Sequence, residues 1–169
     1  MKIIGLAGWS GAGKTTLIAS VIPMLLMRGL KVSTIKHAHH AFDIDVPGKD
    51  SWRHREAGAT EVMVASGQRF ALMHELRGEP EWPLAALVGR LAPVDLVIVE
   101  GYRNGAHAKI EVHRAGNGKP LLHPQDSAIV GIVSDAVLET SLPWAHLDDL
   151  EAVVSMMLAR ATPVADLRA

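Results

Sequence analysis

The sequence predicts an α/β fold, a mostly parallel sheet flanked by helices with an additional β-hairpin. Three observations carry this. Continuous apolar runs such as KIIGLA, DLVIV and AIVGIV are rich in β-branched residues, the pattern of strands buried on both faces. Helical segments separate these runs, so successive strands connect by crossovers. Two short apolar stretches lie only three residues apart, at Ser66-Gly67-Gln68, the spacing of a hairpin.

Taken in order, Lys2 to Ala7 is the first strand and Gly8 to Gly13 a glycine-rich turn. Lys14 to Arg28 is a helix with Leu17, Val21, Met24 and Leu25 inward, bent at Pro23 and stopped at Gly29. Lys31 to Lys36 closes a βαβ unit. A polar loop, His37 to Gly48, leads to a short helix over Asp50 to Ala57 that ends at Gly58. Glu61 to Ala65 and Arg69 to Glu75 form the hairpin, and Pro83 to Leu91 a helix with proline in its first turn. Asp95 to Val99 is a buried strand running into Glu100-Gly101. Ala108 to His113 alternates, which predicts a half-exposed strand. Ala128 to Val133 is buried and leads into Ser134-Asp135, and Asp149 to Ala161 is the closing helix. No repeat or linker interrupts the 169 residues, so one domain is expected.

The balance of charge excludes some functions. Lys plus Arg number 17 against 18 for Asp plus Glu, so the net charge of −1 offers no general attraction to nucleic acid or anionic membrane. Anion binding must come from a local site. There is no cysteine, which excludes disulfides and thiolate metal sites and suits a reducing compartment. The longest apolar run, Ile18 to Met27, is broken by Pro23 and is too short to span a bilayer. A soluble, cytoplasmic protein is expected.

That local site is Gly8-Trp9-Ser10-Gly11-Ala12-Gly13-Lys14-Thr15, a match to G-x-x-x-x-G-K-[ST] at every position. A chance match in a chain of this length has odds on the order of one in a hundred. The context, strand before and helix after, is what the mechanism requires. Glycines let consecutive N–H groups turn inward around phosphate oxygens, and the helix adds its positive end. The sequence therefore predicts a P-loop nucleoside triphosphatase fold. In it Lys14 reaches the β- and γ-phosphates, Thr15 supplies a hydroxyl to Mg²⁺, and Thr16 lies near the α-phosphate.

Glu100 ends a parallel strand at the ligand edge of the sheet and is the candidate to hold Mg²⁺ through water or to orient the attacking water. Asp95, at the strand's other end, reads as structural. Asp43 and Asp45, in the loop after the second strand, are further candidates for Mg²⁺ or water positioning, and Lys36 and Lys49 for phosphate. The same loop holds His37, His39 and His40, which leaves open a Zn²⁺ or Ni²⁺ site, a partner-facing loop, or a solvated one.

GWSGAGKTTL, IKHAHHAFDIDVPGKDSWRHREAGA and DLVIVEGYR, in that order, resemble the molybdopterin-guanine dinucleotide biosynthesis protein B (MobB) family. The resemblance runs from about Met1 to His113. It implies a small GTP-binding protein with weak hydrolysis that assists the guanylyltransferase joining GMP to molybdopterin. It also implies a homodimer built through an extended sheet. The hairpin of residues 61–75 is the matching element, since Val62, Val64, Phe70, Leu72 and Met73 need cover. The guanine-reading N-K-x-D sequence is absent. Ser134-Asp135 stands in its place, so Asp135 is either an acceptor for the guanine N1 and amino groups or a turn cap. A small-molecule kinase and a metal-insertion GTPase are the competing readings. Slow turnover is expected, because no glutamine is placed to hold water and no arginine finger can be named.

Overall fold

The computed structural model describes residues 1–38 and 42–167. Two compact units emerge, one made of residues 1–37 with 83–169 and the other of Ala38–Trp82.

The first unit contains the sheet. Its strands are β1 (Lys2–Ala7), β2 (Val32–Lys36), β5 (Leu96–Glu100), β6 (Lys109–His113), β7 (Ile129–Ser134) and β8 (Trp144–His146). They lie in the order β2-β5-β1-β6-β7-β8, all parallel, and a short β9 (Thr162–Pro163) pairs antiparallel with the start of β1. All six parallel strands end at the same edge, so Ala7, Lys36, Glu100, His113 and Ser134 open onto one crevice. Helix α1 (Lys14–Met27) continues through Pro23 and turns off at Arg28 and Gly29, whose N–H donates to Leu26 O at 2.9 Å. Its buried side is Leu17, Ile18, Val21 and Leu25, with Met24 half-buried against the same core. Helix α4 (Leu150–Arg160) packs on α1, capped by Asp149 accepting from Ala152 N and bridged to it by Arg28 and Glu151. On the other face a smaller cluster of Ile3, Val88, Val97 and Val99 forms with the short helix α3 (Leu84–Val88).

One strand departs from expectation. The alternation of Ala108 to His113 predicts a half-exposed strand, but β6 sits between β1 and β7 and is buried on both faces. Lys109 and Glu111 are 1% and 0% exposed. They are tolerated because each is satisfied. Lys109 Nζ donates to Arg103 O and to Asp126 Oδ2, both at 2.7 Å. Glu111 accepts from Leu122 N at 2.6 Å and His123 N at 3.0 Å. A buried charge that is paired and hydrogen-bonded escapes most of the penalty that makes alternation a guide to exposure.

The second unit contains α2 (Asp50–Glu56) and the two-stranded antiparallel hairpin of β3 (Glu61–Ala65) and β4 (Phe70–His74). The hairpin pairs Met63 with Leu72 and Ala65 with Phe70, so these four share one face. Met63 is 60% and Phe70 71% exposed. Val62 and Val64 lie on the opposite face with Ala71 and Met73, and Val62 is buried. The residues expected to need cover are thus split between two faces.

Candidate functional site

The loop between β1 and α1 is a nest whose shape depends on glycine. Gly8 has φ +147°, and a Cβ there would stand 2.4 Å from Val112 O of the neighbouring strand. Any side chain would push the loop off β6. Gly13, at φ +93°, turns the chain into α1 in a conformation that L residues rarely adopt. Ala12 is buried under the loop, whereas Ser10, Gly11, Thr15 and Thr16 face solvent.

Lys14 lies over the loop, donating to Gly8 O at 2.8 Å and Trp9 O at 3.0 Å. Burial lowers its pKa; nearby Glu100 raises it in part and Lys36 lowers it further. The Thr15 hydroxyl donates to Glu100 Oε1 at 2.8 Å, so the first turn of the helix and the last residue of β5 meet. Lys36, ending β2, brings its Nζ within 3.4 Å of Thr15 Oγ1 and 3.6 Å of Glu100 Oε2. A hydroxyl and a carboxylate side by side are the hard oxygen donors that Mg²⁺ takes. Thr15 and Glu100 therefore fit the ion, which would supply positive charge to the oxygens of a bound polyphosphate. Asp95, at the far end of β5, accepts from Lys31 N at 2.7 Å and is structural, as its position predicts.

Trp9, inside the loop, is held from a different direction. Its Nε1–H donates to Pro120 O at 2.8 Å, and Arg103 and Lys119 stand 4.9 and 5.9 Å from the ring centroid. Together with Lys14, Lys36 and Arg114 they surround the loop with positive charge, the setting for a polyanion.

Asp135 follows β7. Its Oδ1 accepts from Ala115 N at 2.9 Å, and its Oδ2 is 3.8 Å from Arg114 Nη1. It caps the turn after β6, while still standing at the ligand edge.

Asp43 and Asp45 belong to the second unit, where Arg55 gathers three carboxylates. Arg55 donates to Asp43 at 2.8 Å, to Asp45 at 3.3 Å and to Glu75 at 2.8 Å. The Asp43 pKa is lowered by the Asp45 backbone N–H and by Arg55. Burial pushes Asp45 up, but hydrogen bonds from Ser51, Val46 N and Arg55 outweigh it and leave its pKa lowered. Both carboxylates are committed within their own unit. The histidine loop places His39 and His40 outside the described residues. Among the described residues no group of three His, Asp or Glu side chains is placed to hold a metal.

Sequence reasoning missed Arg114, Asn117 and the buried pair Lys109 and Glu111. Arg114 was detectable in principle, as the residue that follows the end of a parallel strand beside the P-loop strand. Asn117 and the buried pair left no such signal.

The fold and the loop define a P-loop α/β protein with an acid at the end of the strand beside the loop. The family model for molybdopterin guanine dinucleotide synthesis protein B matches residues 3–135, and the chain belongs to that family. It is 39% identical over 161 residues to the molybdopterin-guanine dinucleotide biosynthesis adapter protein of Escherichia coli (strain K12), covering 94% of this chain and 92% of that protein. Against the adapter protein of Haemophilus influenzae it is 39% identical over 140 residues, 82% of this chain and 78% of that one. A crystal structure of molybdopterin-guanine biosynthesis protein B superposes with a TM-score of 0.75 at 29% identity, covering 93% of this chain and 98% of the other. Bacillus subtilis MobB, at 22% identity and a TM-score of 0.76, shares the fold over 96% of this chain and 99% of that one. No helix among the described residues is long and apolar enough to cross a membrane.

Proposed function

We propose that this chain is a GTP-binding adapter in the synthesis of molybdopterin guanine dinucleotide, with slow hydrolysis and Mg²⁺ as its ion. The observation that carries the reading is the contact of Thr15 with Glu100 beside a loop that presents Lys14 and backbone donors. In this reading residues 8–16 cradle the phosphates, Lys14 neutralises the β- and γ-oxygens, and Thr15 and Glu100 hold the ion. Asp43, as a further metal-side acid, and Asp45 are proposed as candidates for holding the ion or positioning water. Each must leave Arg55 to do so. Asp135 is proposed to accept from the guanine N1 and amino groups with the lone pairs left over from Ala115 N. Membership of the family supports the pathway, since its curated relatives are named as biosynthesis adapters. The guanylyltransferase of that pathway is the proposed partner.

Competition of GTP against ATP, with and without Mg²⁺, tests base choice and metal dependence together. GTP is expected to bind more tightly, with Mg²⁺ strengthening it, and turnover by the isolated protein to be slow. Asp135→Asn is expected to shrink the GTP preference by roughly tenfold, the cost of leaving one guanine donor pair poorly matched. Equal affinity for the two nucleotides would remove the guanine preference from the reading. Brisk phosphoryl transfer to a small acceptor would replace the adapter by a kinase.

A homodimer formed through the hairpin is also proposed, supported by the exposed face of Met63, Phe70 and Leu72. Met63→Ser with Phe70→Ser is expected to weaken self-association in sedimentation equilibrium by roughly 100-fold or more, about the transfer energy of two large apolar groups. A wild-type chain that stays monomeric across the concentration range would end this part of the reading.

A further inference from the structure

The sheet order sets the direction in which a nucleotide lies. Thr15 meets Glu100 and Lys36 on the β5–β2 side of β1, whereas Arg114 and Asp135 stand on the β6–β7 side. With the ion and terminal phosphates at the first group, the nucleoside end runs across the strand ends toward the second.

Arg114 follows β6 directly, and its guanidinium reaches Gly13, the residue that opens α1. A Cβ built on Gly13 would lie 3.4 Å from Arg114 Nε, 3.5 Å from Nη2 and 3.9 Å from Cζ. That point is nearer to both nitrogens than to the carbon joining them. The two-donor edge of the guanidinium, not its flat face, is therefore turned to the loop. The third nitrogen, Nη1, points the other way, to Asp135 Oδ2 at 3.8 Å. Asp135 also fixes the backbone of the same turn through Ala115 N. Among the described residues, Nε and Nη2 have no hydrogen-bond acceptor. Asn117, two residues further on, lies against Gly11, where a Cβ would be 3.7 Å from its Nδ2 and 3.8 Å from its Oδ1. Its Nδ2 is buried and likewise has no acceptor among the described residues. One turn thus brings two sets of spare donors to the rim of the loop.

We propose that Arg114 is a nucleotide ligand whose Nε–Nη2 edge grips oxygens of the α-phosphate, with the Asn117 amide closing the same wall and Asp135 orienting the arginine. The inference rests on the reading that a nucleoside triphosphate occupies the loop. A guanidinium fork matches two phosphate oxygens, which a lysine cannot do. The β- and γ-phosphates already have Lys14, Thr15 and Glu100 on the opposite side. Arg114 then serves every guanine nucleotide that carries an α-phosphate, not the triphosphate alone.

The test is calorimetric titration of wild type, Arg114→Ala and Arg114→Lys with Mg·GTP and with Mg·GDP, alongside thermal melts without nucleotide. Arg114→Ala is expected to weaken GTP and GDP by the same factor, roughly 10- to 100-fold for charge-assisted hydrogen bonds to one phosphate. Arg114→Lys should recover only part of this. Binding of both nucleotides within threefold of wild type overturns the inference, as does a loss confined to GTP, which would place the contact on the γ-phosphate. Should the alanine variant melt too low to titrate, the lysine variant decides by the same criteria: an equal loss for both nucleotides supports, none overturns. Failure of the wild-type protein to bind either nucleotide overturns the nucleotide reading itself, and is distinguishable from failure of Arg114 alone.

Discussion

Lys14→Ala is expected to lower affinity for GTP by roughly 100- to 10,000-fold, the loss of two charge-assisted hydrogen bonds at about 1.5 to 3 kcal/mol each. The free protein already holds the ammonium at the loop, on Gly8 O and Trp9 O, so little ordering is required when phosphate oxygens arrive. GDP should suffer less, because it lacks the γ-oxygens that Lys14 shares with the ion. Glu100 acts on the same ammonium through space and favours its charged form, while Lys36 stands 3.6 Å from that carboxylate. Titration of both nucleotides against wild type and variant, with circular dichroism to confirm folding, measures the effect. An alanine variant that binds GTP within a factor of about three would move the phosphates out of the loop.

The second large effect concerns stability. Glu111→Ala is expected to destabilise the fold by about 3 to 5 kcal/mol. Glu111 is wholly buried, and both of its oxygens accept main-chain N–H groups, from Leu122 and His123. Alanine leaves two buried donors without a partner, each costing about 1 to 3 kcal/mol, and a void beside them. For a chain of this size the melting temperature should fall by roughly 8 to 15 °C. Glu111→Gln keeps one acceptor oxygen but turns an amide N–H toward the other donor, so an intermediate loss is expected. The effect should reach the nucleotide loop, because the anchored segment carries Pro120, whose carbonyl holds the Trp9 indole. Urea melts decide the matter. A loss under about 1 kcal/mol for the alanine variant would mean that these hydrogen bonds are replaced by water.

Histidine 107 shows how close packing governs charge around the same strand. It is buried against Gly5 and Gly105, and burial lowers its pKa to about 4, with Lys109 adding to the shift and Asp126 opposing it. Its folded pKa lies below the unfolded value near 6.5. The unfolded chain therefore binds more protons between those two values, and this contribution to stability is lost as pH falls through that window.

What the sequence determined by itself was everything governed by local pattern. The glycine-rich loop between β1 and α1 was legible because it is written in eight consecutive residues between a strand and a helix. The helix stop at Gly29, the hairpin at Ser66 to Gln68 and the structural role of Asp95 were legible for the same reason. Tertiary structure alone decided β6, because whether Lys109 and Glu111 face solvent depends on β1 and β7 flanking them, and alternation cannot report that. It also decided which residues line the loop. Arg114 lies about a hundred residues from Gly13, and only the adjacency of β6 to β1 brings its two-donor edge there. Asp43 and Asp45 look like free acids in the sequence, yet Arg55 claims both, since a guanidinium carries enough donors to hold three carboxylates that the fold brings together around it.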